Sequence, residues 1–209
     1  MSAAVSTHPG FDQTDAPTIV RAAVRLGLVE SALVLLVSLI LRFTNGTVAL
    51  AATGLVVAVG LALVTILPGL WTKARTIEGI AGAAGIGLGA TVVYLVVDVA
   101  LLQPIGTYGH RWLDLGGGSN WWYHPVWWMV GTYMPWFGAW ILANQTTKHG
   151  APSVPTALGA AFGLALVCGV AGVLFKVPGA AWGVGTFAVA YLPGLALATL
   201  ISVLGVRRA

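Results

Sequence analysis

Six apolar runs of 18 to 24 residues divide this chain, at 26–43, 47–70, 80–102, 126–143, 154–175 and 184–206. Nothing else in the sequence constrains the fold as strongly. About 20 helical residues, rising 1.5 Å each, cross a hydrocarbon core roughly 30 Å thick. Backbone N–H and C=O groups inside lipid must bond within their own segment, so such runs are helices. None of the six alternates with a period of two along its length, which argues against a membrane barrel.

Composition agrees. Of 209 residues, 58% are hydrophobic and only 8% charged, where a soluble domain carries about 25% charged residues. A lipid bilayer removes the need for a polar coat. The expected fold is an all-α integral membrane protein, a bundle of six transmembrane helices in one domain over 18–209. The polar segment 1–17 is expected to be a disordered tail. Asp15-Ala16-Pro17-Thr18 reads as a helix start, with Asp15 as cap and proline in the first turn. A second long apolar run follows the first almost at once, so the first helix is expected to be an uncleaved span rather than a signal peptide. The abundance of Ala, Gly and Val suggests a bacterial inner membrane.

Loop charge sets the expected orientation. If all six runs span, one side holds Arg21, Arg25, Lys73, Arg75, Lys148, Arg207 and Arg208, and the other holds only Arg42, Arg111 and Lys176. The seven-to-three bias puts both termini in the cytoplasm. The longest outer loop is then 103–124. The net charge of +4 is spread as topology information, with no basic patch to hold nucleic acid. The single cysteine, Cys168, excludes an internal disulfide.

Small residues recur at four-residue spacing. Ala81, Gly85 and Gly89 do so in the third run; Gly159 and Gly163, and Ala161, Ala165 and Gly169, do so in the fifth. Such faces let helix backbones approach closely in lipid. They serve packing within one bundle, or a homo-oligomer or membrane-protein partner. Leu67-Pro68-Gly69-Leu70 and Leu192-Pro193-Gly194-Leu195 echo one another, and Pro135 and Pro193 interrupt runs, as binding-site helices of transporters often are interrupted.

Charges inside a bilayer are costly and mark functional candidates. Two acids qualify. Glu30 is expected near the cytoplasmic end of the first helix, beside Arg21 and Arg25. Asp98 is expected about one turn, roughly 6 Å, from the outer end of the third, with Tyr94 one turn deeper on the same face. Asp98 reads either as a ligand, proton carrier or counter-ion, or as an interfacial carboxylate paired with Arg42 or Arg111. His110 and His124 flank Gly116-Gly117-Gly118, which allows a sharp turn, and Asp114 lies between them. Convergence of His110 and His124 with Asp98 or Asp114 would suit zinc, iron or copper, although the spacing matches no metal motif. The catalytic candidates are therefore Asp98, His110, Asp114 and His124, and the metal candidates His110 and His124. No cofactor is specified.

Seven of the nine tryptophans fall between residues 103 and 140. Trp121, Trp122, Tyr123, Trp127 and Trp128 sit where an interfacial aromatic belt belongs. Met129, Tyr133, Trp136 and Trp140 follow i, i+4, i+7, i+11, one helix face running too deep for a belt. That stripe either packs on a glycine-rich helix or, with Tyr94, lines a pocket for a flat hydrophobic ligand.

No nucleophile elbow, phosphate-binding loop or dinucleotide fingerprint is present. Three functions stay open. The first is a non-catalytic subunit or hydrophobic-ligand-binding component of a membrane complex, with its site on the extracytoplasmic side. The second is a small transporter or channel using Asp98. The third is a membrane enzyme acting on a lipid-soluble substrate through Asp98, His110 and His124.

Overall fold

The structure, a computed structural model, describes residues 12–109, 111–112 and 123–206, and only the backbone of 123–127 and 206. Six helices account for the described residues, with no strand among them. They are α1 (Ala16–Phe43), α2 (Gly46–Trp71), α3 (Ile77–Val97), α4 (Tyr123–His149), α5 (Val154–Leu174) and α6 (Val184–Val206). A π-helical turn, Asp98–Leu102, extends α3. Five helices are long and apolar enough to cross a membrane, and α4 is the exception. Its tryptophans and tyrosines dilute its apolar character, whereas each of the other five contains an apolar stretch long enough to span.

α4 occupies the middle of the bundle, packed against α2, α3 and α6, while α5 packs chiefly on α6 and α1 chiefly on α3. Glycine permits these approaches. A Cβ on Gly87 would strike the Gly131 carbonyl and Pro135, and one on Gly131 would strike Thr91. The two leucine-proline-glycine-leucine segments each place their glycine at a helix contact: a Cβ on Gly69 would come 3.0 Å from Ala139, and one on Gly194 would meet the Ala165 backbone. Ala161 and Ala165 are buried, and Gly169 abuts Phe187. By contrast Gly85, Gly159 and Gly163 face open space. Small residues therefore serve internal packing along some faces and leave others bare.

The start of α1 lies where the Asp15 cap predicts it, and two neighbouring features, Glu30 and the tail, differ from expectation. Helix α1 begins ten residues before its apolar run. Asp15 caps it by accepting from the Thr18 amide at 3.1 Å, with Pro17 in the first turn. Thr18 holds the Asp15 carboxyl below the ordinary carboxylate range. Because α1 starts at Ala16 and ends at Phe43, Glu30 lies midway along it rather than near one end. Glu30 is partly buried, and neither Arg21 nor Arg25 pairs with it; Arg21 Nε donates instead to the Pro17 carbonyl at 3.2 Å.

The second difference concerns the tail. Residues 12–15 run against the turn between α2 and α3, where the Gln13 amide donates to the Thr72 carbonyl at 2.8 Å. Asp12 accepts from the amides of Arg75 (3.0 Å), Thr76 (2.9 Å) and Gly79 (3.0 Å), and from Thr76 Oγ1 (2.6 Å). The first amides of a helix lack internal partners, and Asp12 supplies one for α3 from more than sixty residues away.

Candidate ligand site

The π-helical turn after α3 builds the site. Pro104 lacks an N–H and disfavours a helical residue before it, and Gly106 adopts a φ of 71°, a left-handed conformation natural to glycine. The chain folds back, with the Thr107 amide donating to the Leu102 carbonyl at 3.1 Å and the Gly106 amide to the Gln103 carbonyl at 3.0 Å.

Asp98 lies inside this fold and is wholly buried. Its carboxylate accepts from Gln103 Nε2 at 2.7 Å and from the Tyr108 hydroxyl. The Tyr108 hydroxyl also lies 3.1 Å from that of buried Tyr94. Around them Tyr94, Leu95 and Leu102 pack with Val34, Leu35, Val97 and Tyr108. The expected pairing of Asp98 with Arg42 or Arg111 does not form; neutral donors take its place. A buried charge demands hydrogen-bond partners, and the turn supplies them from within ten residues of Asp98.

Arg111 has another role. Its Nη1 donates to the carbonyls of Leu41 and Thr44 (2.7 Å for the latter) and to Asn45 Oδ1 at 2.9 Å. The last carbonyls of a helix are unpaired and carry partial negative charge, so Arg111 closes the end of α1. Ser38 Oγ donates to the Thr107 carbonyl, which binds the connection to α1 a second time.

Between these anchors lies a cleft of about 400 Å³. Ser38, Leu41, Arg42 and Asn45 line it from α1 and the turn after it; Gly106, Thr107, Gly109, Arg111 and Trp112 line it from the connection after α3. The Trp112 ring stands edge-on to Tyr108, with centroids 5.1 Å apart at 74°. Asp98 thus orients Tyr108, and Tyr108 supports the wall of the cleft. Thr107 is buried, and its hydroxyl has no hydrogen-bond partner among the described residues.

The other sequence candidates divide. Tyr94 belongs to the Asp98 cluster. Trp136 and Trp140 pack on Ala74, Ile80, Ala83, Ala139 and Ala143, so the deep part of the aromatic stripe lies on the alanine- and glycine-rich start of α3. Tyr133 and Met129 are largely exposed; the Tyr133 ring lies 6.1 Å from those of Trp136 and Phe137. None of these contacts brings Tyr133, Trp136 or Trp140 to Tyr94. His110, Asp114 and the His124 side chain lie outside the described residues, and with them the metal question. Among the described residues no three His, Cys, Asp or Glu side chains cluster. Gln103, Thr107 and Tyr108 were not singled out in the sequence. Their signal was local: Pro104 and Gly106 mark a turn that returns the chain to Asp98.

No protein-family model, curated protein or solved structure matches this chain.

Proposed function

We propose that this protein is a non-catalytic component of a bacterial inner membrane that holds an amphiphilic ligand in the cleft between α1 and the connection after α3. The observation that carries the reading is the cleft itself. It combines apolar walls, Leu41 and Trp112, with polar ones, Ser38, Asn45 and Thr107, and its volume lies in the range of small-molecule sites. Wall residues are held by Arg111, Ser38 and the Asp98–Tyr108 pair, so the site is preformed.

In this reading all six helices span and both termini are cytoplasmic. The central position of α4 supports the sixth span. A helix shielded by α2, α3 and α6 needs less lipid-compatible surface than a peripheral one. Arg21, Arg25, Lys73, Arg75 and Lys148 then share the cytoplasmic side, and the cleft opens on the extracytoplasmic side, at the level of the headgroups.

Purification in a mild detergent, followed by organic extraction and mass spectrometry, tests the reading. The wild-type protein is expected to retain an amphiphile that the Trp112→Ala variant loses. Retention of the same molecules by both proteins, or of none by either, counts against it.

A second reading, a small transporter, draws on the wholly buried Asp98 in a π-helical turn, a feature frequent at functional sites. The cleft is not lined by Asp98, whose oxygens engage Gln103 and Tyr108, so the binding reading accounts for more of the geometry. The enzyme reading turns on His110, Asp114 and His124.

A further inference from the structure

We infer that the polar end of the ligand is an oxyanion, held by the Arg42 guanidinium and the Thr107 hydroxyl. This rests on the ligand-binding reading above and specifies its chemistry.

Three observations converge. The first is the unsatisfied Thr107 Oγ1. The residue is 5% exposed and lines the cleft, yet among the described residues its hydroxyl has no partner. Buried hydroxyls are almost always hydrogen-bonded, and leaving one unpaired costs roughly 1 to 3 kcal/mol. A group entering the cleft supplies the partner.

The second is charge. Arg42 and Arg111 both line the cleft, and among the described residues no acidic side chain does. Asp98, the acid adjacent in the chain fold, is buried behind Tyr108 and occupied by it and by Gln103. The carbonyl end of α1 would repel an anion, but Arg111 already covers the Leu41 and Thr44 carbonyls.

The third is division of labour between the two arginines. The Arg111 Nη1 bonds are spent on α1 and the turn after it, which fixes that guanidinium in place. Arg42 is exposed and makes no hydrogen bond or ion pair among the described residues. It is free to close on a ligand, and guanidinium suits the paired oxygens of phosphate or carboxylate. Gly106 and Gly109 add no Cβ to the wall, and nothing lies within 4 Å of where one would stand. The head of an anionic lipid and a free phosphate share this chemistry.

The test uses the full-length protein in discs of phosphatidylcholine doped with phosphatidylglycerol, with lipid retention read by native mass spectrometry. Phosphatidylglycerol is expected to be retained over phosphatidylcholine by about tenfold, the scale of one charge-assisted hydrogen bond. Arg42→Gln and Thr107→Val are each expected to erase most of that preference while leaving the melting temperature near wild type, since neither side chain bonds to another described residue. Displacement of the lipid by millimolar glycerol 3-phosphate would identify a soluble anion as the source; its failure to compete would identify the lipid head, and the oxyanion assignment stands in both cases. Equal retention of both lipids, unchanged by Arg42→Gln and Thr107→Val but reduced for both by Trp112→Ala, overturns the oxyanion while leaving the cleft as a ligand site. Retention insensitive to Arg42→Gln, Thr107→Val and Trp112→Ala alike overturns both.

Discussion

Asp98 accepts a hydrogen bond from the Tyr108 hydroxyl, across the turn that Pro104 and Gly106 impose. This pair fixes the connection after α3 and, through the ring contact of Tyr108 with Trp112, one wall of the cleft. Asp98→Ala leaves Tyr108 and Gln103 without their acceptor and is expected to cost about 1 to 3 kcal/mol. Tyr108→Phe removes the same bond from the other side. A double-mutant cycle on thermal unfolding in detergent should give a coupling of about 0.5 kcal/mol or more; additive losses would show that the two side chains act separately.

Asp12 caps α3 from outside the helix. Asp12→Ala unpairs the amides of Arg75, Thr76 and Gly79, and a lost cap of this kind costs about 1 kcal/mol. The local consequence is sharper than the global one. Trypsin should cut after Arg75 several-fold faster in the variant, while cutting elsewhere is unchanged. Equal rates at Arg75 would mean that the segment 12–15 does not secure the turn.

Asp15 makes a pH-dependent contribution at the start of α1. Its folded-state pKa lies below the ordinary value of 3.8, chiefly through the Thr18 hydrogen bonds. A carboxyl depressed on folding stabilises the fold above its unfolded pKa, and the effect is lost as pH falls through the folded one. Hydrogen exchange in the first turn of α1 should therefore be protected at pH 6 and lose protection below about pH 4. An Asp15→Ala protein should show no such acid-dependent change.

Glu30 lies midway along α1 and makes no hydrogen bond or ion pair among the described residues. A charged side chain at the centre of a span is unfavourable. Glu30→Gln is expected to leave the melting temperature unchanged or raise it by up to about 4 °C, the shift that 1 kcal/mol produces in a chain of this size. A fall of several degrees would reveal that the carboxylate has a stabilising partner.

The glycines of α3 and α4 are not equivalent. Gly131→Ala on α4 forces a methyl group into Thr91, and overpacking of this kind costs about 1 to 3 kcal/mol. Gly85→Ala meets nothing within 4 Å and gains helix propensity worth up to about 1 kcal/mol. Melting curves should separate the two variants in opposite directions from wild type. If both are neutral, the α3–α4 contact is looser than described.

The helices were legible because lipid imposes one requirement, internal hydrogen bonding, that long apolar runs advertise directly. The start of α1 was legible in its Asp15 cap and Pro17, but its apolar run opens only at 26, and counting from there sets Glu30 too near one end of the helix. The contact of Asp12 with Thr76 joins distant parts of the chain through polar residues that carry no periodic signal. At Asp98, charge matching pointed to Arg42 or Arg111. The turn chemistry of Pro104 and Gly106 instead brings Tyr108 back to it, and Arg111 goes to the carbonyls that close α1. The unpaired Thr107 hydroxyl exists only in three dimensions.

Photo-crosslinking with a diazirine-bearing phosphatidylglycerol in the reconstituted protein tests the ligand site most directly. If the cleft holds an amphiphile, peptide mapping should place the main adducts within 38–45 and 103–112, and Trp112→Ala should remove them. Adducts spread evenly along the exposed faces of α5 and α6, with none in those two segments, would contradict a ligand site at the end of α1.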